Sequence, residues 1–295
     1  MADATDERKE ITETDFAIIG SGIGGLCCAA LLARYGYRVT VCESHTVPGG
    51  AAHAFERDGF HFESGPSFFT GFSAANSTSP LKQILDLLGE EIEAVSYDRW
   101  TFHFPEGAFI SSSDRKLYHE QLAGFCSEQG LEQWLRMEAR LERLSRGLAD
   151  LPMAAMRADA GALLTMGRYS WGMLKNLSGT RQLQNSFRWL VDQEITDPFL
   201  SRLCDFECFS LSGMDAGGTP LAEMVFMFRE RFRTSVEYPL GGSQAIVSAL
   251  VRGLEKHGGK LMLRAHVDSV IVEGGRAKGV KLARGGEVRA RRAVI

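Results

Sequence analysis

The run Gly20-Ser21-Gly22-Ile23-Gly24-Gly25 has the residue types and spacing to hold a diphosphate. Gly20, Gly22 and Gly25 fit the pattern G-x-G-x-x-G. In that pattern the first glycine allows a tight turn. The second lets backbone approach a pyrophosphate where a Cβ would collide, and the third lets helix and strand pack closely. A helix that starts there offers unpaired N–H groups and the positive end of its dipole to the phosphates. Glu43 follows about 20 residues after the first glycine, where an acid can accept hydrogen bonds from a ribose diol. The chemistry implied is dinucleotide binding.

These residues need a strand, a helix and a second strand to position them. Residues 16–19 form a short apolar run, read as a buried strand. Ile23, Leu26, Ala30 and Ala33 recur at helical spacing, and Gly36 closes the helix. Residues 38–42 alternate as a second strand that ends at Glu43 and Ser44. Every part of a βαβ fingerprint is therefore present, which a plain structural glycine turn would not require. Gly49, Gly50 and Ala51 come soon after the acid. A second close approach of backbone suits a large cofactor such as FAD, whose phosphates lie along several loops. Gly217-Gly218, Gly241-Gly242 and Gly285-Gly286 lack the G-x-G-x-x-G spacing, so no separate NADPH domain is expected.

A chain of 295 residues with 44% hydrophobic content can bury the core of one or two domains. A net charge of −4 gives no bulk attraction to nucleic acid. Six cysteines in this length are not a disulfide framework. Cys27 and Cys28 read as small apolar residues of the first helix. Cys204 and Cys208 stand four apart with no Cys-x-x-Cys or His-x-x-x-His, so no metal site is expected, and a reducing compartment is. Residues 1–14 are polar and acid-rich, unlike a signal or transit peptide, and read as a disordered tail. A cytoplasmic or plastid location is expected rather than secretion. No apolar run is long enough to span a bilayer.

Beyond Gly50, Arg57-Asp58-Gly59 signals a turn, residues 60–63 a strand, and Ser64-Gly65-Pro66-Ser67 a tight loop. The stretch VPGGAAHAFERDGFHFESGPS strongly resembles the carotenoid isomerase and phytoene desaturase family of FAD-dependent enzymes. Within that family it is most similar to the prolycopene isomerase-like proteins. The likeness resumes at Tyr97-Asp98-Arg99-Trp100, at Phe104-Pro105-Glu106-Gly107, at TPLAEMVFMF, at EYPLGGSQAI and in the final strands; the helical middle matches loosely. The resemblance implies FAD, an apolar tunnel and a lipophilic polyene substrate. It implies that the loop after Glu63 passes near the isoalloxazine, which makes Glu63 the candidate polar group there. It also implies that the backbone at Val267 lies beside the adenine. Isomerases of this kind use reduced FAD without net redox change, whereas desaturases pass hydride to oxidised FAD; saturation of a retinol-like alcohol is a third option. Ala51 stands where the wider amine-oxidase group usually has Arg or Lys, which argues against amine oxidation. A reading of another class is a flavin-free prenyl carrier like the Rab escort and GDP-dissociation proteins, which share the fold. Glu43 together with Gly49-Gly50 favours the enzyme. Family members continue well past residue 295, so a C-terminal truncation is expected.

The fold class expected is α/β: a Rossmann-type FAD-binding domain with an inserted α+β substrate domain. The boundaries expected are 1–14 tail, 15–95 FAD-binding domain, 96–238 substrate domain, and 239–295 return to the FAD-binding domain. Residues 80–88 read as a helix stopped by Gly89, and residues 100–104 and 108–110 as a hairpin. Leu131, Leu135, Leu141, Leu144 and Leu148 mark a helix whose Glu138, Glu142, Arg136 and Arg140 belong on a solvated face. Residues 151–177, rich in Met, Leu and Trp among cations, read as a helical cap or as an interfacial segment in peripheral membrane contact. Residues 220–228 form an apolar helix, and Arg229, Arg231 and Arg233 after it are read as solvated, without a role. Ile246, Val247, Leu250, Val251 and Leu254 mark a helix ended by Gly258-Gly259. Strands are expected at 260–263, at 267–272 and 277–282 around Gly274-Gly275, and from 292 onward. No partner is assigned to His45, His53, His61, His103 or His119, and the oligomeric state is left open.

Overall fold

The computed structural model describes residues 11–65, 69–73, 77, 79–149, 181–232 and 236–295, with only backbone at 146–149. The segment 151–177 lies outside the described residues. The chain divides into two units, Met1–Ser96 with Glu237–Ile295, and Tyr97–Val236.

The first unit is built on β1 (Ile11–Ile19), α1 (Ile23–Arg34) and β2 (Val39–Cys42). Its six-stranded sheet also takes β10 (Lys260–Met262), β11 (Val267–Glu273), β12 (Arg276–Leu282) and β13 (Glu287–Val294), in the order β10-β2-β1-β13-β12-β11. β10, β2, β1 and β13 run parallel, and β12 and β11 complete an antiparallel meander. This is a Rossmann-like α/β sheet. From β1 the chain crosses to β2 on one side, while β13 lies on the other. The strand order therefore reverses at β1, the position at which open α/β sheets bind ligands beyond their carboxyl ends.

Small residues explain how closely α1 packs: Leu26, Ala29, Ala30 and Ala33 are buried against Ile18, Val39 and Val41. Helices α2 (Pro80–Leu88) and α8 (Ser243–Lys256) share that core through Leu85, Leu88, Ile246, Val247, Leu250 and Leu254. Pro80 opens α2, and Gly89 closes it in the left-handed region at φ 67°. A second cluster, with Ala17, Cys42, Val280, Val288 and Ala290, holds the meander to the parallel strands. A hairpin of β3 (Ala54–Arg57) and β4 (Phe60–Glu63) turns through Asp58 and Gly59, both at positive φ. β5 (Phe69–Thr70), β9 (Val236–Pro239) and β6 (Ala94–Tyr97) form a three-stranded sheet in the order β5-β9-β6.

The second unit begins with the hairpin β7 (Arg99–Phe104) and β8 (Gly107–Ser112), a two-stranded sheet of its own. Helices α3 (Arg115–Phe125), α4 (Glu128–Ala149), α5 (Phe187–Glu194), α6 (Pro198–Ser212) and α7 (Leu221–Arg231) follow. Asp114 and Asp197 cap α3 and α6 by accepting backbone N–H bonds at their first turns. Phe109, Tyr118, Trp134, Phe187 and Leu200 fill an aromatic-rich core.

Three expectations are corrected. Residues 11–14, expected in a disordered tail, are the first half of β1. They lie in parallel register with Glu287 to Ala290 of β13, and Glu13 pairs with Arg291 at 2.8 Å. No local apolar run announces such a strand, because its partner lies at the far end of the sequence. In α4 the apolar face is set by Trp134, Met137 and Leu141, while Leu135 is 41% exposed. Glu138, expected on the solvated face, is buried between His119 at 2.7 Å and Arg115 at 3.3 Å.

Candidate dinucleotide-binding site

The site is a stack of three loops in the first unit, beginning where β1 hands over to α1. Gly20 turns the chain at φ 91°, conformational space open to glycine. Gly22 is the N-cap of α1, with no side-chain hydrogen bond capping it and no acid in the first turn. The first intrahelical bond runs from Leu26 N–H to Gly22 O, so the N–H groups of Ile23, Gly24 and Gly25 precede the helical ladder. A Cβ built on Gly20, Gly22 or Gly24 meets nothing within 4 Å, whereas one on Gly25 collides with Gly20 O. The three glycines of the pattern thus divide as expected: one turns, one faces open space, one is packed shut.

Glu43 closes the opposite side, 8% exposed at the end of β2. Its Oε2 accepts from Ser21 N–H at 2.8 Å and Ser21 Oγ–H at 2.6 Å. Its Oε1 accepts from His45 N–H at 2.8 Å and Ser44 Oγ–H at 3.3 Å. Burial works against the charged form, but the Ser21 hydroxyl and the His45 and Ser21 N–H groups outweigh it and hold the carboxyl below its ordinary range. The acid is therefore ionised and fixed in orientation. Ala265 N–H donates to Glu43 O at 2.7 Å and Arg264 N–H to His45 O at 3.0 Å, which brings the segment leading into β11 alongside Glu43. Val267 opens that strand and packs in the cluster of Cys42 and Ala265.

The second loop carries Gly49, Gly50 and Ala51. It is stitched to the first by the Gly49 N–H to Ser21 O bond at 3.0 Å and a bridge between Gly22 and Gly49. Gly49 and Gly50 take φ 125° and 57°, and a Cβ on Gly50 would sit 3.0 Å from Gly22 Cα. The third loop follows β4. A Cβ on Gly65 would collide with Ala51 O, so this loop lies directly on the second. Glu63, the candidate polar group, accepts through its carboxylate from Ser243 N–H at the start of α8. Burial and then Glu63 raise the Tyr238 phenol above its ordinary value.

This arrangement fits a dinucleotide. Open backbone and uncapped N–H groups at the start of α1 leave room for a diphosphate, and an ionised acid lies at the end of the next strand. The comparisons agree with the geometry. A family model described as an NAD(P)-binding Rossmann-like domain matches residues 18–86. Prolycopene isomerase of Daucus carota is 30% identical over 94% of this chain and 45% of its own length. Phytoene desaturase of Cereibacter sphaeroides is 26% identical over 92% of the chain and 51% of its own. All-trans-retinol 13,14-reductase of Macaca fascicularis is 28% identical over 93% and 45%. The chain is homologous to prolycopene isomerases and phytoene desaturases. It spans about half the length of these curated relatives. Among solved structures, putrescine oxidase bound to putrescine superimposes with a TM-score of 0.63 at 18% identity, over 97% of this chain and 58% of that one. Rab GDI of Plasmodium falciparum does so with a TM-score of 0.54 at 14% identity, over 96% and 65%. Both share the fold.

In this homologue of the carotenoid enzymes several polar groups escaped the sequence reading. His53 links the second and third loops through Gly50 O and Ser64 Oγ. Glu237, which is buried, accepts from Phe72 N–H and, at 3.0 Å, from Ser73 N–H. In the second unit Arg231, read as solvated, has a side chain only 12% exposed and pairs with Glu207 at 2.7 Å. Glu207 also accepts from Tyr118 Oη–H at 3.0 Å, and the guanidinium lies 4.9 Å from the Tyr118 ring. Burial opposes the Arg231 charge, yet Glu207 and Tyr118 hold its pKa above the ordinary value. Cys204 and Cys208, near that pair, have thiol pKa values pushed up chiefly by burial. Among the described residues no group of three or more His, Cys, Asp or Glu is placed to hold a metal ion. No described helix is long and apolar enough to cross a membrane.

Proposed function

We propose that the protein is an FAD-dependent enzyme acting on a carotenoid or related polyene, by cis–trans isomerisation with the reduced cofactor. The observation that carries this reading is the open glycine turn at the uncapped start of α1, facing the ionised Glu43, in a homologue of prolycopene isomerases. Gly20, Ser21, Gly22, Ile23, Gly24 and Gly25 hold the diphosphate through backbone N–H groups and the helix dipole. Glu43 and Ser44 take the ribose: rotation of the Ser21 and Ser44 hydroxyls frees carboxylate lone pairs for the diol, while the two backbone N–H donors keep the acid in place. Gly49, Gly50 and Ala51 line the path beyond the diphosphate, and the backbone at Val267 borders the adenine. The chemistry FAD would supply when bound in its reduced form is electron density for a conjugated chain, which would lower the barrier to rotation about a double bond. Glu63 remains the candidate polar group near the flavin, and its carboxylate, accepting from Ser243 N–H, also anchors the start of α8.

Desaturation or saturation of a polyene is the second reading, supported by the relatives named phytoene desaturase and retinol reductase. A flavin-free isoprenoid carrier is supported by the fold shared with Rab GDI. An absorbance spectrum of the purified chain with added FAD separates the carrier from the enzymes, since a carrier retains no flavin. Incubation with a poly-cis carotenoid under reducing conditions separates the rest. Isomerisation leaves the number of double bonds unchanged, desaturation adds to it, and saturation lowers it. A product with a changed double-bond count would overturn the isomerase assignment. Peripheral membrane contact through residues 151–177 belongs to the same proposal, and liposome flotation unaffected by deleting them would count against it.

A further inference from the structure

His53 bridges two of the three loops of the dinucleotide site. Its Nδ1 lies 2.8 Å from Gly50 O, a carbonyl that can only accept, so Nδ1 carries the proton. In the neutral ring Nε2 is then the acceptor, and the Ser64 hydroxyl 3.0 Å away donates to it. Ser64 N–H also donates to His53 O at 3.2 Å. The imidazole therefore spans from the second loop to the third. The bond to Gly50 is local, three residues back in the same loop, and the bond to Ser64 is the one that joins separate loops.

Direction within the site follows from the fixed groups. Glu43 defines the ribose end and Gly22 the diphosphate. On the FAD reading, the rest of a dinucleotide leaves the turn on the side away from Glu43, along Gly49, Gly50 and Ala51, and Gly65 is packed against the Ala51 carbonyl. We infer that His53 is a positioning residue for the half of the cofactor beyond the diphosphate: it sets the spacing of the Gly49–Ala51 and Ser64–Gly65 loops, while the ADP half is held by Glu43, the glycine turn and the backbone at Val267. This rests on the FAD reading above and assigns the second half of that site a residue of its own.

Titration of the 295-residue chain with FAD and with ADP tests it. His53→Ala is expected to weaken FAD about tenfold, the scale of one lost hydrogen bond, and to change ADP affinity by less than about twofold. His53→Gln carries its amide out to where Nε2 stood and recovers most of the FAD affinity; His53→Asn, which reaches only Gly50, does not. Ser64→Ala removes the same bond from an exposed partner and reproduces the His53→Ala result without perturbing the second loop. Equal losses for FAD and ADP would mark a general loosening of the fold and overturn the assignment. So would unchanged FAD affinity in His53→Ala, or recovery by Asn equal to that by Gln. Failure of the unsubstituted chain to bind either nucleotide would instead sink the FAD reading, and the inference with it.

Discussion

Gly22→Ala separates the needs of the fold from the needs of the ligand. Gly22 sits at φ −62°, ψ 167°, extended backbone that any residue adopts, and a Cβ there meets no atom within 4 Å. The protein without cofactor should therefore lose only the N-cap preference of glycine over alanine, about 0.5–1 kcal/mol. The same methyl points into the space through which a diphosphate must approach the N–H groups of Ile23 and Gly24. Lengthening two charge-assisted hydrogen bonds costs about 1.5–3 kcal/mol each. A combined ~3–6 kcal/mol corresponds to an FAD Kd raised about 10²- to 10⁴-fold. Chemical denaturation without cofactor measures the first quantity and fluorescence titration with FAD the second. Unchanged FAD affinity would refute the placement of the diphosphate. A loss of unfolding free energy above about 2 kcal/mol would instead show that the glycine serves the fold.

Gly25→Ala should behave oppositely: its Cβ collides with Gly20 O, so overpacking of about 1–3 kcal/mol appears in denaturation without cofactor. Glu43→Gln should shift the acid limb of stability. The folded carboxyl is held below its ordinary range, so its contribution is full above that range and fades as pH falls through the lowered folded value. Denaturation from pH 7 down to about pH 3 should show a shallower acid decline in Glu43→Gln, whose amide does not titrate, and an identical decline would remove Glu43 from the pH response. Arg231→Met leaves Glu207 charged and buried and should cost about 3–5 kcal/mol. The double variant Arg231→Met with Glu207→Leu should recover part of that loss in a double-mutant cycle, and strict additivity would show the pair to be uncoupled.

The glycine turn and its strands were legible because their signal is local. β1, α1 and β2 fall within a few dozen residues, and each glycine answers to a backbone constraint visible in the spacing. The resemblance carried the reading further than spacing did, and the relatives found are the prolycopene isomerases and phytoene desaturases it named. What spacing could not show are bonds between distant residues. Glu63 meets Ser243, and His53 meets Ser64 through a ring whose orientation only the fold sets. The first half of β1 reads as a polar tail until β13 arrives beside it. Hydrogen bonds of this sort leave no periodic trace, since both partners are polar and either would be at ease in water.

The buried charges are a different case, because a signal for them was present and pointed inward. In α7 the buried face runs Leu221, Met224, Val225, Phe228, and the next position three residues on is Arg231. Glu138 follows Trp134 by four and precedes Leu141 by three on the face that α4 buries. Glu207 follows Leu203 and Cys204 by four and three along α6. Residues three or four apart share a helix face whatever their chemistry, so each of these charges was placed toward the core by the apolar residues beside it. A charge on an apolar stripe has to find a partner there, because an isolated buried ion costs several kcal/mol. Arg231 and Glu207 meet that requirement in each other, and Glu138 meets it in His119 and Arg115. Reading arginines after an apolar helix as a solvated run holds for Arg229 only if its face differs from that of Phe228. Helical phase, more than composition, therefore separates a solvated cation from a core ion pair.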